Sequence, residues 1–341
     1  MKPKAILLLS GGLDSSLALF LMAKQGIDLT VLHFTTLFCT CDKKGAGCGA
    51  TAYAVTKQLG IPLKIIDNTA EYLPVIRKPK HGYGSGMNPC VDCRILMFSK
   101  AKQVMEEIGA SFIVTGEVLS QRPMSQMRHT LDLIERESGV VGKLLRPLSA
   151  QHFPPTDAEK QGLINREQML DFYGRSRKPQ IALAEQLGLT EYPCAAGGCL
   201  LTDKNFAARL KDLFNHNIDN VNDIKLLRIG RHFRLSPEIK LIVGRNEADN
   251  DQIQQLAQPS DIQFEVLGTG SPVCLLRVYS ESRGAVTAPL LLAASICARY
   301  SDLKHEDKVK VSHRKTKSEL DETQEVVVEP ISESVLCKYR I

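Results

Sequence analysis

The sequence predicts an α/β chain: a Rossmann-like parallel sheet followed by a smaller α+β domain. Three observations lead there. Four apolar residues in a row, Ile6-Leu7-Leu8-Leu9, read as a strand buried on both faces. Strand patterns recur at 29–34, 63–66 and 111–115 with helical patterns between them, as crossovers in a parallel sheet require. After the Asn-rich stretch 215–222 the chain changes character, with strands expected at 224–227, 239–243, 262–266, 273–279, 309–312 and 325–328. Only two helices, 247–257 and 287–300, are expected among them.

The first strand runs into Ser10-Gly11-Gly12-Leu13-Asp14-Ser15-Ser16. From Ser16 an apolar block free of β-branched residues continues to Ala23 and stops at Lys24-Gln25-Gly26, which reads as a buried helix with glycine just past its end. Strand, Gly-rich turn and helix N-terminus together gather backbone N–H groups at the positive end of a helix dipole, where an oxyanion such as phosphate is favoured. An ordinary strand–turn–helix crossing would use the same small residues for packing. Ser10, Ser15 and Ser16 add hydroxyl donors, and Asp14 can orient Mg²⁺ or a nucleotide. Leu8, Leu9, Gly11, Gly12 and Leu13 complete this candidate phosphate site.

The second strand, 29–34, ends in His33-Phe34, where a doubly wound sheet places a nucleotide base; both could equally be core residues. A helix is expected at 50–59 and the third strand at 63–66. The basic, glycine-bearing stretch 71–87 reads as a loop, either solvated or closing over a polyanion. A helix opens at Asn88-Pro89-Cys90-Val91-Asp92-Cys93 and runs to about Ile108; the fourth strand ends at Gly116-Glu117. Lys143-Leu144-Leu145-Arg146 is a second stretch suited to phosphate. Helical patterns follow from Asn165 and at Lys178-Pro179, with Pro in the first turn of the second. A loop holds Cys194 and Gly198-Cys199, and Asp203 precedes an amphipathic helix to about Phe214. The domains expected are 1–164, an extension at 165–216, and 217–341.

Composition narrows the class. With 341 residues, 43% hydrophobic and 24% charged, the chain has room for about two globular domains. No apolar run reaches the ~18 residues that a membrane span needs. Met1-Lys2-Pro3-Lys4 leads straight into the first strand without a cleavable signal, so the expected location is cytoplasmic. A net charge of +5 is a weak pointer to anionic partners. The cluster Lys304, Lys308, Lys310, Arg314, Lys315 and Lys317 could meet phosphates or be a solvated face.

Ten cysteines in a chain of this kind point to ligands or nucleophiles. Cys90 and Cys93 lie in the first turn of a helix, whose dipole favours thiolates. A CxxC pair alone leaves zinc, redox and iron–sulfur roles open. Cys199, about a hundred residues later in a Gly-Gly-Cys loop, would complete a three-thiolate set with one open coordination position. Cys39, Cys41 and Cys48 have close metal-ligand spacing and would need a fourth ligand for zinc, such as His33 or Cys194.

Ser-Gly-Gly-Leu-Asp-Ser resembles the PP-loop of N-type ATP pyrophosphatases, which cleave ATP to AMP and pyrophosphate; it differs from the P-loop because no Lys follows the glycines. Asn88-Pro89 with Cys93, Thr115-Gly116, Lys178-Pro179, the ending 184–189 and Gly198-Cys199 resemble the bacterial tRNA 2-thiouridylases from residue 4 to about 214. That resemblance implies ATP and Mg²⁺ as cofactors, tRNA or another RNA as partner, and a persulfide or sulfide donor. A uridine carbonyl oxygen would be adenylated and sulfur would displace AMP, with Asp14, Cys93 and Cys199 catalytic and Gly116 at the nucleotide.

Cys90 stands where that family has Asp, and Glu117 where it usually has His. Cys90, Cys93 and Cys199 are instead similar to the 4Fe–4S ligands of other PP-loop tRNA thiolases. Residues 227–234 and 242–246 resemble the RNA-binding module of NFACT-type proteins. Two other readings remain: a PP-loop ligase or amidotransferase with a nitrogen nucleophile, and a non-catalytic, nucleotide-regulated RNA-binding protein.

Overall fold

The computed structural model describes residues 2–40, 47–189, 198–279, 287–316 and 323–341, with the side chains of Gly47 and Cys48 left aside. The chain forms two compact units, Met1–Asp203 and Lys204–Ile341. Residues 165–203 thus belong with the first unit and residues 204–216 with the second.

The first unit runs β1 (Lys4–Leu8), α1 (Leu13–Lys24), β2 (Asp28–Thr35), α2 (Gly47–Leu59), β3 (Leu63–Asp67), α3 (Thr69–Arg77), α4 (Cys90–Glu107), β4 (Phe112–Thr115), α5 (Arg128–Ser138), β5 (Leu144–Leu145), α6 (Asp157–Lys160) and α7 (Lys178–Gln186). Its five strands are all parallel, in the order β3-β2-β1-β4-β5. The four-residue apolar run does what its pattern predicts. Ala5, Leu7 and Leu9 pack on one face with Ala18, Leu19 and Met22 of α1, while Ile6 and Leu8 pack on the other with Phe98, Ala101 and Met105 of α4. The chain leaves β1 toward β2 and β3, then returns to place β4 on β1's other side. That reversal is the topological switch point, and its crevice opens at the strands' carboxyl ends.

The second unit runs α8 (Lys204–Asn215), α9 (Val221–Leu226), β6 (Arg231–Ser236), β7 (Ile239–Val243), α10 (Glu247–Leu256), β8 (Ile262–Val266), β9 (Cys274–Val278), α11 (Thr287–Arg299), β10 (Val309–Lys315), β11 (Gln324–Val328) and α12 (Glu333–Leu336). Its six strands form an antiparallel sheet in the order β11-β10-β8-β9-β7-β6. Alternation along the strands sends Leu241, Val243 and Leu276 to a core with α11, and Ile242 and Leu275 to a second core with Leu226 and Ile253. Parallel and antiparallel sheets in separate units match the expected fold class.

Several elements differ from expectation. Residues 224–227 are not a strand: Asn220 accepts a hydrogen bond from the Asp223 N–H at 2.9 Å and caps α9. The same helix and the buried Ile218 make 215–222 part of the second unit. Part of the basic loop 71–87 is helix α3, and the rest is tied down. Asp92 accepts from the backbone N–H groups of Lys80 and His81 at 3.0 and 3.1 Å, and Glu137 pairs with both their side chains. The helical pattern from Asn165 is a single 3₁₀ turn, Arg166–Gln168. Among the described residues, no helix is long and apolar enough to cross a membrane.

Candidate functional site: one cavity for nucleotide and thiols

The turn after β1 is built by glycine and serine. Gly11 takes φ +76°, a left-handed conformation that costs glycine nothing, and Gly12 precedes α1 without any side-chain cap. The Ser15 hydroxyl donates to the Gly12 carbonyl at 2.9 Å and lies 3.1 Å from the Ser10 hydroxyl, so the turn is braced from inside. Ser16 turns away and donates to the same carbonyl at 3.1 Å. The first N–H groups of α1 therefore face the crevice without capping side chains, an arrangement that favours an anion.

Gly116, just past β4, closes the other side. A Cβ there would lie 2.5 Å from the backbone of Asp14 and Ser15, which cannot give way as a side chain could. Gly116→Ala is expected to displace the Gly11–Ser15 turn and weaken ATP binding by roughly tenfold or more, a loss of over ~1.4 kcal/mol. Equilibrium titration with ATP checks it; unchanged affinity would remove Gly116 from the site.

The cavity at this crevice holds about 300 Å³. Leu8, Leu9, Ser10, Gly12, Leu13, Asp14, Ser15, His33, Phe34 and Gly116 line it, and so do Cys39, Cys90, Cys93 and Cys199. Gly11 and Ser16 do not. The two groups of residues that the sequence keeps far apart thus share one space.

The cavity is rich in unmet polar demand. Asp14 Oδ1, His33 Nε2, both amide atoms of Asn68 and Gln126 Oε1 are buried without a hydrogen-bond partner. Such groups are rare in folded proteins and costly to leave unmatched. Asp14 Oδ2 is held at 2.6 Å by Gln121, itself held by Gln180 at 2.8 Å, which leaves Oδ1 aimed at the cavity. Burial raises the Asp14 carboxyl from its ordinary value, against the pull of Gln121, Arg177 and Arg122. His33 Nδ1 lies 2.7 Å from the Leu9 carbonyl and so carries the proton, which makes Nε2 an acceptor.

Glu117 explains how Arg94 is presented. Thr115 donates to Glu117 Oε2 at 3.3 Å and Arg146 at 3.1 Å, Arg94 pairs with Oε1 at 3.4 Å, and Arg146 also pairs with Glu135. Arg146 is buried inside this network, so the stretch at 143–146 offers no guanidinium to a phosphate. Arg94 and Arg122, which line the cavity, are the cations in that position instead.

The thiols come from three places. Cys90 and Cys93 open α4, and Cys199 lies opposite Cys39 in an antiparallel bridge, with Leu200 N–H to Phe38 carbonyl at 2.8 Å and Thr40 N–H to Gly198 carbonyl at 3.4 Å. A Cβ on Gly198 would lie 2.4 Å from the Thr40 hydroxyl, so glycine lets the two segments meet. Burial pushes the Cys90 and Cys93 thiols up, against the opposing pull of Arg94 on both, of Asn88 and Arg122 on Cys90 and of Tyr72 on Cys93. Burial pushes Cys199 up to about 12, with Cys93, Cys90 and Cys39 adding repulsion. The expected stabilisation of thiolates by the helix dipole is therefore outweighed by desolvation.

The zinc set proposed from spacing cannot be followed, because Cys41, Cys194 and the Cys48 side chain lie outside the described residues. Among the described residues no three His, Cys, Asp or Glu side chains converge to hold a single metal ion. Sequence reasoning missed Asn68, Tyr72, Gln121, Arg122 and Gln126. None lies in a recognisable motif.

Comparison with known proteins follows this division. A family model described as NFACT protein RNA binding domain matches residues 230–340. A probable tRNA sulfurtransferase of Lysinibacillus sphaericus is 33% identical over 177 residues, covering 52% of this chain and 40% of that protein. A tRNA-specific 2-thiouridylase MnmA of Azorhizobium caulinodans is 30% identical over 138 residues, covering 38% of this chain and 35% of that protein. The chain thus spans less than half the length of these curated relatives. A solved 4-thiouridine synthetase–RNA complex with bound ATP shares 22% identity at a TM-score of 0.37, over 66% of this chain and 52% of that one. The model described as Thiamine biosynthesis protein (ThiI) matches residues 1–180, more than half of the chain, and to that family the chain belongs.

Proposed function

We propose that this chain is an ATP-dependent tRNA sulfurtransferase, which adenylates a uridine carbonyl oxygen and replaces that oxygen with sulfur. One observation carries the reading: the Ser10–Ser15 turn and the thiols of Cys90, Cys93 and Cys199 line one cavity. A nitrogen-transferring ligase would have no use for three thiols beside its nucleotide.

ATP phosphates would lie on the N–H groups at the start of α1, with Mg²⁺ on the open Asp14 Oδ1 and adenosine against His33, Phe34 and Gly116. The uridine oxygen attacks the α-phosphorus and pyrophosphate departs, so a poor leaving group becomes AMP. Sulfur then attacks the activated carbon and AMP leaves with the oxygen.

Cys199 can carry the sulfur as a persulfide taken from a persulfide donor, and its outer sulfur bonds the uridine carbon. Cys93 then attacks the Cys199 sulfur to release the thionucleoside, and an external thiol reduces the Cys93–Cys199 disulfide that forms. By their chemistry, three cysteines around a part-apolar cavity with Phe38, Leu96 and Met97 in its wall also suit a 4Fe–4S cluster. Such a cluster would fix all three as thiolates and offer one iron for sulfur. Residues 230–340 would hold the RNA. On β10, an inner strand of its sheet, Lys310 and Arg314 are exposed between the buried Val309, Val311 and His313, and Lys310 pairs with Glu325.

The test is anaerobic purification with iron, sulfide and zinc analysis of the wild type and Cys90→Ser, followed by nucleoside analysis of tRNA incubated with protein, ATP, Mg²⁺ and, in separate arms, sulfide or a persulfide donor with a thiol reductant. Thionucleoside and AMP in equal amounts are expected. AMP release without any thionucleoside would refute sulfur transfer, and an iron-free, colourless wild type would refute the cluster.

A further inference from the structure

The stretch Tyr173-Gly174-Arg175-Ser176-Arg177-Lys178, which leads into α7, holds three cations and no acid. Tyr173 is 62% exposed, and Arg175 and Lys178 are exposed with it. Single exposed aromatics are common on protein surfaces. This one is seated. Its backbone bridges to Leu119, with the Gly174 N–H on the Leu119 carbonyl at 2.8 Å, and its ring lies 5.5 Å from that of His152. His152 Nε2 is in turn 2.6 Å from the Asp171 carbonyl. The ring is thus held in place while it stays largely in water.

The cations beside it lack counter-charges. Lys80, Arg128 and Arg166 of the same unit are each paired with a carboxylate, at 2.8, 3.1 and 2.6 Å. Among the described residues, the side chains of Arg122, Arg175, Arg177 and Lys178 make no hydrogen bond or ion pair. The fold carries this patch to the cavity. Leu119, the bridge partner of Tyr173, opens the loop in which Gln121 holds Asp14 and Arg122 lines the cavity. That loop is closed by the Ser120 N–H on the Gln126 carbonyl at 2.7 Å, with Ser120 at φ +63°, a left-handed conformation that strains any residue but glycine. From α7, Gln180 reaches Gln121 at 2.8 Å. Tyr173 and the cations after it are therefore tied at both ends to the loop that holds Asp14.

A phosphate chain supplies the charge that unpaired cations lack, and an unstacked base offers a face to a fixed aromatic ring. An acidic peptide would answer the cations alone. We propose that residues 173–178, with Arg122, form a contact for single-stranded RNA, an inference that rests on RNA as the substrate in the sulfurtransferase reading. Tyr173 stacks on a base near the target nucleotide, and Arg175, Arg177 and Lys178 take the adjoining phosphates. The surface belongs to the first unit and not to residues 230–340, and it orients the strand so that one nucleotide enters the cavity past Arg122.

The experiment uses the full chain as wild type, Tyr173→Ala, Tyr173→Phe and the double variant Arg175→Gln/Lys178→Gln. It measures tRNA affinity over a series of salt concentrations, ultraviolet cross-linking to tRNA with peptide mapping, and ATP affinity. Wild type is expected to cross-link through the peptide that carries Tyr173. Tyr173→Ala is expected to bind tRNA roughly tenfold more weakly and Tyr173→Phe to stay within about twofold of wild type, since phenylalanine also stacks. The double variant is expected to flatten the slope of log affinity against log salt by about 1.5, the share of two phosphates. ATP affinity is expected to stay within about twofold, which reports that each variant folds. A cross-link map without this peptide, an equal loss in Tyr173→Ala and Tyr173→Phe, or an unchanged salt slope would each overturn the assignment. If binding and cross-linking behave as described but the wild type makes no thionucleoside, the sulfurtransferase reading fails and the RNA contact stands. Thionucleoside formed by a wild type that cross-links only elsewhere keeps that reading and removes this surface.

Discussion

Cys199→Ser is expected to lower tRNA thiolation by roughly 10³-fold or more, as loss of a covalent participant does in other enzymes. ATP affinity should change little, because the bridge to Cys39 is a backbone contact and serine keeps the local shape. The result separates the two halves of the cavity. If the variant still consumes ATP to AMP in the presence of tRNA at the wild-type rate, activation precedes sulfur delivery and does not need the thiol. If thiolation itself persists, Cys199 is not the carrier. Cys93→Ser provides the second arm and is expected to lower thiolation by a similar factor. Nucleoside mass spectrometry and AMP quantification on the same samples read both.

Arg146→Met is expected to destabilise the first unit by about 3–5 kcal/mol, the usual cost of leaving a buried charge without its partner. Glu117 and Arg146 are 2% and 3% exposed, and Arg146 joins Glu117 to Glu135. Removing the guanidinium strands Glu117 beside β4, with the Thr115 hydroxyl at 3.3 Å and Arg94 at 3.4 Å as its remaining contacts. The double variant Arg146→Met/Glu117→Gln should recover part of the loss, since the stranded charge is then gone. Urea denaturation followed by circular dichroism measures it. Equal losses in single and double variants would show that packing, not charge, holds this corner together.

The parallel core could be read from the sequence because each strand there is a short, nearly pure apolar run ended by glycine or a polar turn. α5 escaped notice because its buried residues Thr130, Leu131 and Ile134 are spread among charged neighbours at 128–136. β6 escaped for the opposite reason. Its alternation, Arg231-His232-Phe233-Arg234, uses arginine and histidine where a strand usually shows apolar residues, and only the fold reveals His232 and Phe233 as buried. The strand expected at 224–227 failed because Ile224-Lys225-Leu226-Leu227 fits one turn of helix as well as a strand, and the deciding signal was Asn220 upstream.

The candidate site divides the same way. The phosphate turn is local, so its residues are adjacent in sequence and legible. Asn68, Tyr72, Gln121 and Arg122 matter only through where the sheet and helices carry them. Glu117 was noticed as a substitution, but its tie to Arg94 depends on a contact with Arg146 that no local pattern contains.

The bridge between Cys39 and Cys199 has a consequence in time. A ribosome delivers chain at ~5–20 residues per second, so Cys199 emerges roughly 5–20 s after Cys93. The phosphate turn has emerged before that interval begins and Gly116 follows Cys93 by 23 residues, about 1–5 s, whereas the thiol end of the cavity waits for its last wall. A nascent chain could therefore meet nucleotide well before it could meet sulfur. In the proposed reaction, sulfur delivery waits until the first unit has almost left the ribosome.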